Sequence, residues 1–90
     1  MDFETAVQMV KNGTFTCDNN AKLHLYGLYK VATLNSGPTT SRPWVFSMDQ
    51  TSKAKWDAWN DAFTSVDSAD DAKLRYIQLV QNLTRKKSYA

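Results

Sequence analysis

Apolar positions recur along this chain at helical spacing, and no stretch alternates with the period of two that marks a strand. Phe3, Val7 and Val10 follow Asp2, a cap candidate, and Asn12-Gly13 supplies a stop signal, so the pattern predicts a short first helix. A second is expected over AKLHLYGLYKVATL, residues 21–34, with cap candidates in Asp18 to Asn20. Leu23, Leu25, Tyr26, Leu28, Tyr29, Val31 and Ala32 are too dense there for one stripe, which predicts neighbours on more than one side. A long loop rich in Ser, Thr and Gly follows and holds both prolines, Pro38 and Pro43. Beyond it, Thr51 or Ser52 is placed to cap a third helix carrying Trp56, Trp59 and Phe63. Ser68 with Asp71 three residues later resembles a capping box for a fourth helix. Leu74, Ile77, Val80 and Leu83 are its expected buried stripe, and Arg85, Lys86 and Lys87 suit its C-terminal dipole. The prediction is an all-α four-helix bundle in one domain, residues 1–90.

Composition narrows the class. Ninety residues with 42% apolar and 22% charged types suit one small globular domain. Cys17 is the only cysteine, so no internal disulfide supplements the core and helix packing must hold the fold. The N-terminus MDFETAVQMV carries acids where a signal peptide carries lysines, and no apolar run approaches the ~18 residues of a membrane span. A soluble cytoplasmic protein without a transmembrane segment is therefore expected. A net charge of +2 is too weak to argue for nucleic acid by itself, so any functional charge must be local.

Two local clusters carry candidate chemistry. In LYGLYKVAT, Tyr26, Tyr29 and Lys30 share roughly a quarter to a third of the helix circumference. Aromatic rings, phenolic hydroxyls and an ammonium together stack on a planar base while donating hydrogen bonds to phosphate. The plainer reading is that the tyrosines are core and Lys30 lays its stem along them. In KAKWDAWN, Lys53 and Lys55 stand beside Trp56 and Trp59, again cations bordering aromatics. These residues alone leave open a nucleic-acid-binding bundle, which stacks bases and tracks phosphates in the same way, and a helical interaction module with no small ligand. Acids spread along the chain argue against a continuous basic stripe. No catalytic residue and no metal site are expected: His24 is the only histidine and Cys17 the only thiol, too few for a triad or a spaced ligand set. His24, roughly opposite Tyr26, reads as a surface residue.

In order and approximate spacing, LYGLYKVAT, Arg42-Pro43, KAKWDAWN and the RYI of the last helix resemble the acyl-CoA-binding protein family over nearly the whole chain. The resemblance implies an up-down-down-up four-helix bundle that is no enzyme and needs no cofactor. It implies non-covalent binding of medium- to long-chain fatty acyl-CoA esters and their transport or buffering in the cytoplasm. It implies a monomer whose partners are the ligand and enzymes that make or use acyl-CoA, not nucleic acid. By position, Tyr26, Lys30 and Lys55 match the family residues that hold the 3′-phosphate of CoA, and Tyr29 and Tyr76 match aromatic contacts to the adenine. Lys11 matches another ligand-contacting lysine, and Leu23 and Ala54 match apolar contacts to the acyl chain. Phe3, Val7, Val10, Ile77, Val80 and Leu83 match the packing face between the first and last helices.

Departures from the family pattern set further expectations. Gly13 stands where an apolar residue is usual and is expected to loosen the end of the first helix. The family's ATxGD becomes Ala32-Thr33-Leu34-Asn35-Ser36, its RPG becomes Arg42-Pro43-Trp44, and Val31 replaces a usual glutamine. Trp44, Phe46 and Met48 are expected to reshape the acyl groove.

Overall fold

The computed structural model describes residues 1–13, 15, 17–39 and 50–87. Among these residues there are four helices and no strand: α1 (Phe3–Asn12), α2 (Asn19–Leu34), α3 (Gln50–Ser65) and α4 (Ala69–Lys87). None of them is long and apolar enough to cross a membrane.

The helix ends follow from local chemistry. The Asp2 carboxylate accepts the Thr5 amide at 2.8 Å, and hydrogen bonds from the side chain and then the amide of Thr5 hold it below the ordinary carboxylate range. Asp18, the first of its three candidates, caps α2 by accepting the Ala21 amide at 2.8 Å. Gly13 does not loosen α1. It takes the left-handed conformation at φ 64° and donates its amide to the carbonyls of Met9 and Val10, closing the helix where a β-carbon would be strained. Asn35 does the same for α2 at φ 54°, bonding the Val31 carbonyl. Asparagine is among the few residues other than glycine that tolerate this region, which explains how it replaces the glycine of the family pattern. Before α4, Ser68 Oγ accepts the Asp71 amide at 3.1 Å, while the Asp71 carboxylate reaches back to the Asp67 amide at 3.0 Å. The reciprocal bond thus goes one residue further out than in the usual box. Asp71 also accepts Arg75 Nε at 3.1 Å, an exposed pair one turn on.

Two further expectations are corrected. Thr51 and Ser52 lie inside α3, which already includes Gln50, so neither is its cap. Leu74 is 52% exposed, and the buried stripe of α4 runs through Ala72, Tyr76 and Val80 instead, with Ile77 and Leu83 partly buried beside it. At about 100° per residue, Leu74 lies roughly 160° from Tyr76 and opposite Leu83, so a run taken at every third residue cannot stay on one face.

α2 is the central helix, packing on both α3 and α4, while α1 packs on α4. Its buried residues, Leu25, Gly27, Leu28, Val31 and Ala32, cover roughly 160° of the helix at about 100° per residue, wide enough to meet both neighbours. Val31, where the family pattern has glutamine, is 2% exposed, and an apolar residue there avoids burying an amide without a partner. Ala6 of α1, Phe15, Ala62 of α3 and the α4 stripe complete the core.

Neighbouring pairs fix the register. Lys55 lies by Tyr26, Ala58 by Gly27 and Trp59 by Lys30, so α3 runs parallel to α2. At α1, Phe3 meets Tyr29 while Lys11 shares a cavity with Lys22, an antiparallel pairing. Trp59 Nε1 donates to the Ser36 carbonyl at 2.8 Å, and the Phe63 ring lies over Gly37, fastening the chain that leaves α2 onto α3. Phe63 itself is 46% exposed.

Gly27 permits the approach of α2 to α3. A β-carbon there collides with the carbonyl oxygen of Ala58 and stands 2.7 Å from its carbonyl carbon and 3.2 Å from Ala62 Cβ. Backbone cannot swing aside as a side chain does. Gly27→Ala is expected to destabilise by about 1–3 kcal/mol, outweighing the ~1 kcal/mol gain in helix propensity. Thermal unfolding checks this: a melting temperature at or above that of the parent would show that α3 retreats freely.

Candidate functional site

The parallel register of α2 and α3 brings the two sequence clusters together. Tyr26 and Lys30 are four residues apart on α2, and Lys55 comes from the second turn of α3. Lys30 Nζ lies 5.7 Å and Lys55 Nζ 5.5 Å from the centre of the Tyr26 ring. Lys30 is also 5.1 Å from the Trp59 ring. Neither lysine makes an ion pair with a described residue. Two ammonium groups held by one phenol and lacking a carboxylate form a ready site for a compact anion, to which the phenol adds a hydrogen-bond donor.

Beside this anion site lies a slot of about 230 Å³ between α1, α2 and α4. Val7, Val10 and Leu25 line it with Tyr26, Tyr29 and Tyr76, and its charged members are Lys11 and Lys22. Tyr29 and Tyr76 belong to an aromatic group with Phe3. Phe3 stacks on Tyr29 with centres 6.2 Å apart and meets Tyr76 edge-on at 5.2 Å. Tyr29 is half-buried, but Tyr76 is 3% exposed, a core ring that closes the slot from below. On the other side of α2, a groove of about 500 Å³ runs between α2 and α3. Leu23, Ala54, Ala58 and Ala62 give it apolar walls, and His24, Asp57, Asp61 and Ser65 also line it. His24 is exposed there, as a surface histidine.

The eight residues expected at the site thus fall into three adjoining sets. Tyr26, Lys30 and Lys55 converge; Lys11, Tyr26, Tyr29 and Tyr76 line the slot; Leu23 and Ala54 line the groove. Arg42, Pro43, Trp44, Phe46 and Met48 lie outside the described residues. Trp59, one of the aromatics that KAKWDAWN sets among its lysines, joins the site through Lys30 rather than through its own cluster, and two further residues escape the sequence reading. Lys22 precedes Tyr26 by one helical turn, a spacing visible in the sequence. Lys73 lies 5.9 Å from the Phe3 ring through the packing of α1 on α4, and no local pattern announces it.

An anion site, an aromatic slot and an apolar groove in a row suit an amphipathic nucleotide ester, and the family profile described as Acyl CoA binding protein matches residues 1–80. The chain belongs to the acyl-CoA-binding protein family. It is 47% identical to an acyl-CoA-binding protein of Brassica napus over 83 residues, which cover 91% of this chain and 84% of that protein. It is 45% identical over 84 residues to rat enoyl-CoA delta isomerase 2, covering 92% of this chain but 20% of that larger protein. The crystal structure of Oryza sativa acyl-CoA-binding protein 2 superposes with a TM-score of 0.81 at 37% identity, covering 98% of this chain and 92% of that one. The all-α fold is that of acyl-CoA-binding proteins.

Burial, and secondarily the proximity of Tyr29, pushes the Tyr76 hydroxyl from an ordinary 10.0 up to about 12. The folded chain therefore holds this proton more tightly than the unfolded chain. Stability owed to it is intact below pH 10.0 and is lost as pH rises towards about 12. Spectrophotometric titration is expected to show one late-ionising tyrosine that disappears in Tyr76→Phe, and the variant should lose less stability across that window. A titration that is unchanged in Tyr76→Phe would place the late proton elsewhere.

Proposed function

We propose that this chain binds medium- to long-chain fatty acyl-CoA esters non-covalently, as a cytoplasmic monomer that buffers them and carries them between enzymes that make and use them, without catalysing a reaction itself. The observation that carries this reading is the convergence of Tyr26, Lys30 and Lys55 from two helices on one point. A phosphate monoester is a dianion, and two cations with a phenolic donor satisfy it from several directions. With the 3′-phosphate of CoA there, the adenine meets the half-buried Tyr29 beside the slot, and the acyl chain reaches the groove lined by Leu23 and Ala54. Each buried methylene adds roughly 0.8 kcal/mol, so the tail and the phosphate act together and the intact ester is preferred over its parts. No oligonucleotide offers that combination, and Asp57 and Asp61 along the groove oppose a polyanion there.

The direct test is calorimetric titration with hexadecanoyl-CoA, alongside free CoA, free hexadecanoate and 3′-dephospho-hexadecanoyl-CoA. Tight binding of the intact thioester alone is expected. Binding no tighter than the controls would leave the chain with the family's fold and not this ligand.

A further inference from the structure

The slot beside Tyr26 is charged with one sign only. Its charged lining residues are Lys11 from α1 and Lys22 from α2, whereas the groove between α2 and α3 brings Asp57 and Asp61, and the wider groove along α1 brings Asp2 and Glu4. Neither Lys11 nor Lys22 makes an ion pair with a described residue, and both are exposed. Lys22 lies in the first turn of α2, four residues after the capping Asp18, but the Asp18 carboxylate accepts the Ala21 amide and no ion pair joins it to Lys22. What its position does provide is proximity to the anion site. Lys22 and Lys30 flank Tyr26 along one face of α2, four residues to either side.

Coenzyme A carries more charge than Lys30 and Lys55 neutralise. The same ribose that bears the 3′-phosphate bears a diphosphate at its 5′ position, so a nucleotide whose 3′-phosphate sits between Lys30 and Lys55 must send its diphosphate out close to Tyr26. The slot shares Tyr26 with the anion site and carries the two uncommitted cations. We propose that Lys22, paired with Lys11, clamps the 5′-diphosphate of CoA at the mouth of this slot; the inference rests on the acyl-CoA reading above. The diphosphate is flexible, and two lysines on long stems follow it where a rigid guanidinium fork would demand one geometry. Lys22 then determines specificity for CoA esters over esters of pantetheine, which share the thioester and lack the nucleotide.

The test is Lys22→Met, which keeps an unbranched apolar stem and removes the charge. The parent and variant are titrated with dodecanoyl-CoA, 3′-dephospho-dodecanoyl-CoA and dodecanoyl-pantetheine, with Lys30→Met as the contrasting variant. Lys22→Met is expected to weaken both CoA esters by a common factor of about five or more and leave the pantetheine ester unchanged. Lys30→Met should instead affect chiefly the ester that carries the 3′-phosphate. The melting temperature of Lys22→Met should stay close to the parent's, since an exposed, unpaired cation contributes little to stability. No loss with either CoA ester, or an equal loss with the pantetheine ester, overturns the clamp while parent binding to dodecanoyl-CoA leaves the acyl-CoA reading standing. If the parent itself does not bind dodecanoyl-CoA, both fall.

Discussion

Replacing Lys30 and Lys55 together by alanine is expected to weaken hexadecanoyl-CoA binding by about a hundredfold or more, and each single replacement by about tenfold. Both ammonium groups are held near the Tyr26 ring, which places both to address the same phosphate in the proposed complex. A charge-assisted hydrogen bond contributes about 1.5–3 kcal/mol, and tenfold in affinity corresponds to ~1.4 kcal/mol. Two independent tenfold losses multiply to about a hundredfold, and coupling between two cations on one phosphate is expected to carry the double loss to that product or beyond. The fold should hardly notice. Neither lysine belongs to the core, and each gives up only a cation–aromatic contact of about 0.5–1 kcal/mol in an exposed setting. The measurement is calorimetric titration of the three variants and the parent with hexadecanoyl-CoA and its 3′-dephospho form. With the dephosphorylated ligand, parent and variants should bind alike. A double variant that keeps parental affinity for the phosphorylated ligand would move the 3′-phosphate away from Tyr26 altogether.

Much of the fold was legible because it rests on short-range chemistry. Asp2, Asp18 and Ser68 cap helices as their residue types predict, since a cap needs only a side-chain oxygen two or three residues before a free amide. Thr51 and Ser52 show the limit of that logic, because hydroxyl residues also occur inside helices and the true start of α3 lies further back. Gly13 was legible as a stop signal but not as a substitute for an apolar residue, until its left-handed φ showed that backbone freedom is what the position uses.

The site divides in the same way. Tyr26 and Lys30 share a face of α2 by spacing alone. That Lys55 joins them depends on how far α3 slides along α2, which is set where Gly27 meets Ala58, and only the family resemblance carried that information in the sequence. Tyr76 was harder still. Its companions Phe3 and Tyr29 come from two other helices, and nothing local separates a tyrosine that lies under a ligand from one that lies under a core.

That ambiguity makes Tyr76→Ala the substitution with the largest expected effect on stability. The ring is 3% exposed, meets Phe3 edge-on and closes the slot, so its removal leaves a cavity where α1, α2 and α4 meet. Truncating a buried aromatic costs about 3–5 kcal/mol, a large share of the ~5–15 kcal/mol that holds a domain of this size. At about 4–8 °C per kcal/mol, the melting temperature should fall by roughly 12 °C at the least. Tyr76→Phe separates the roles of ring and hydroxyl. It keeps the edge-on contact, so it should melt close to the parent and still bind hexadecanoyl-CoA. If Tyr76→Ala melted like the parent, the ring would not be a core element, and the packing of α1 over α4 would need another explanation. If Tyr76→Phe folded like the parent but lost the ligand, the hydroxyl rather than the ring would be what the site requires.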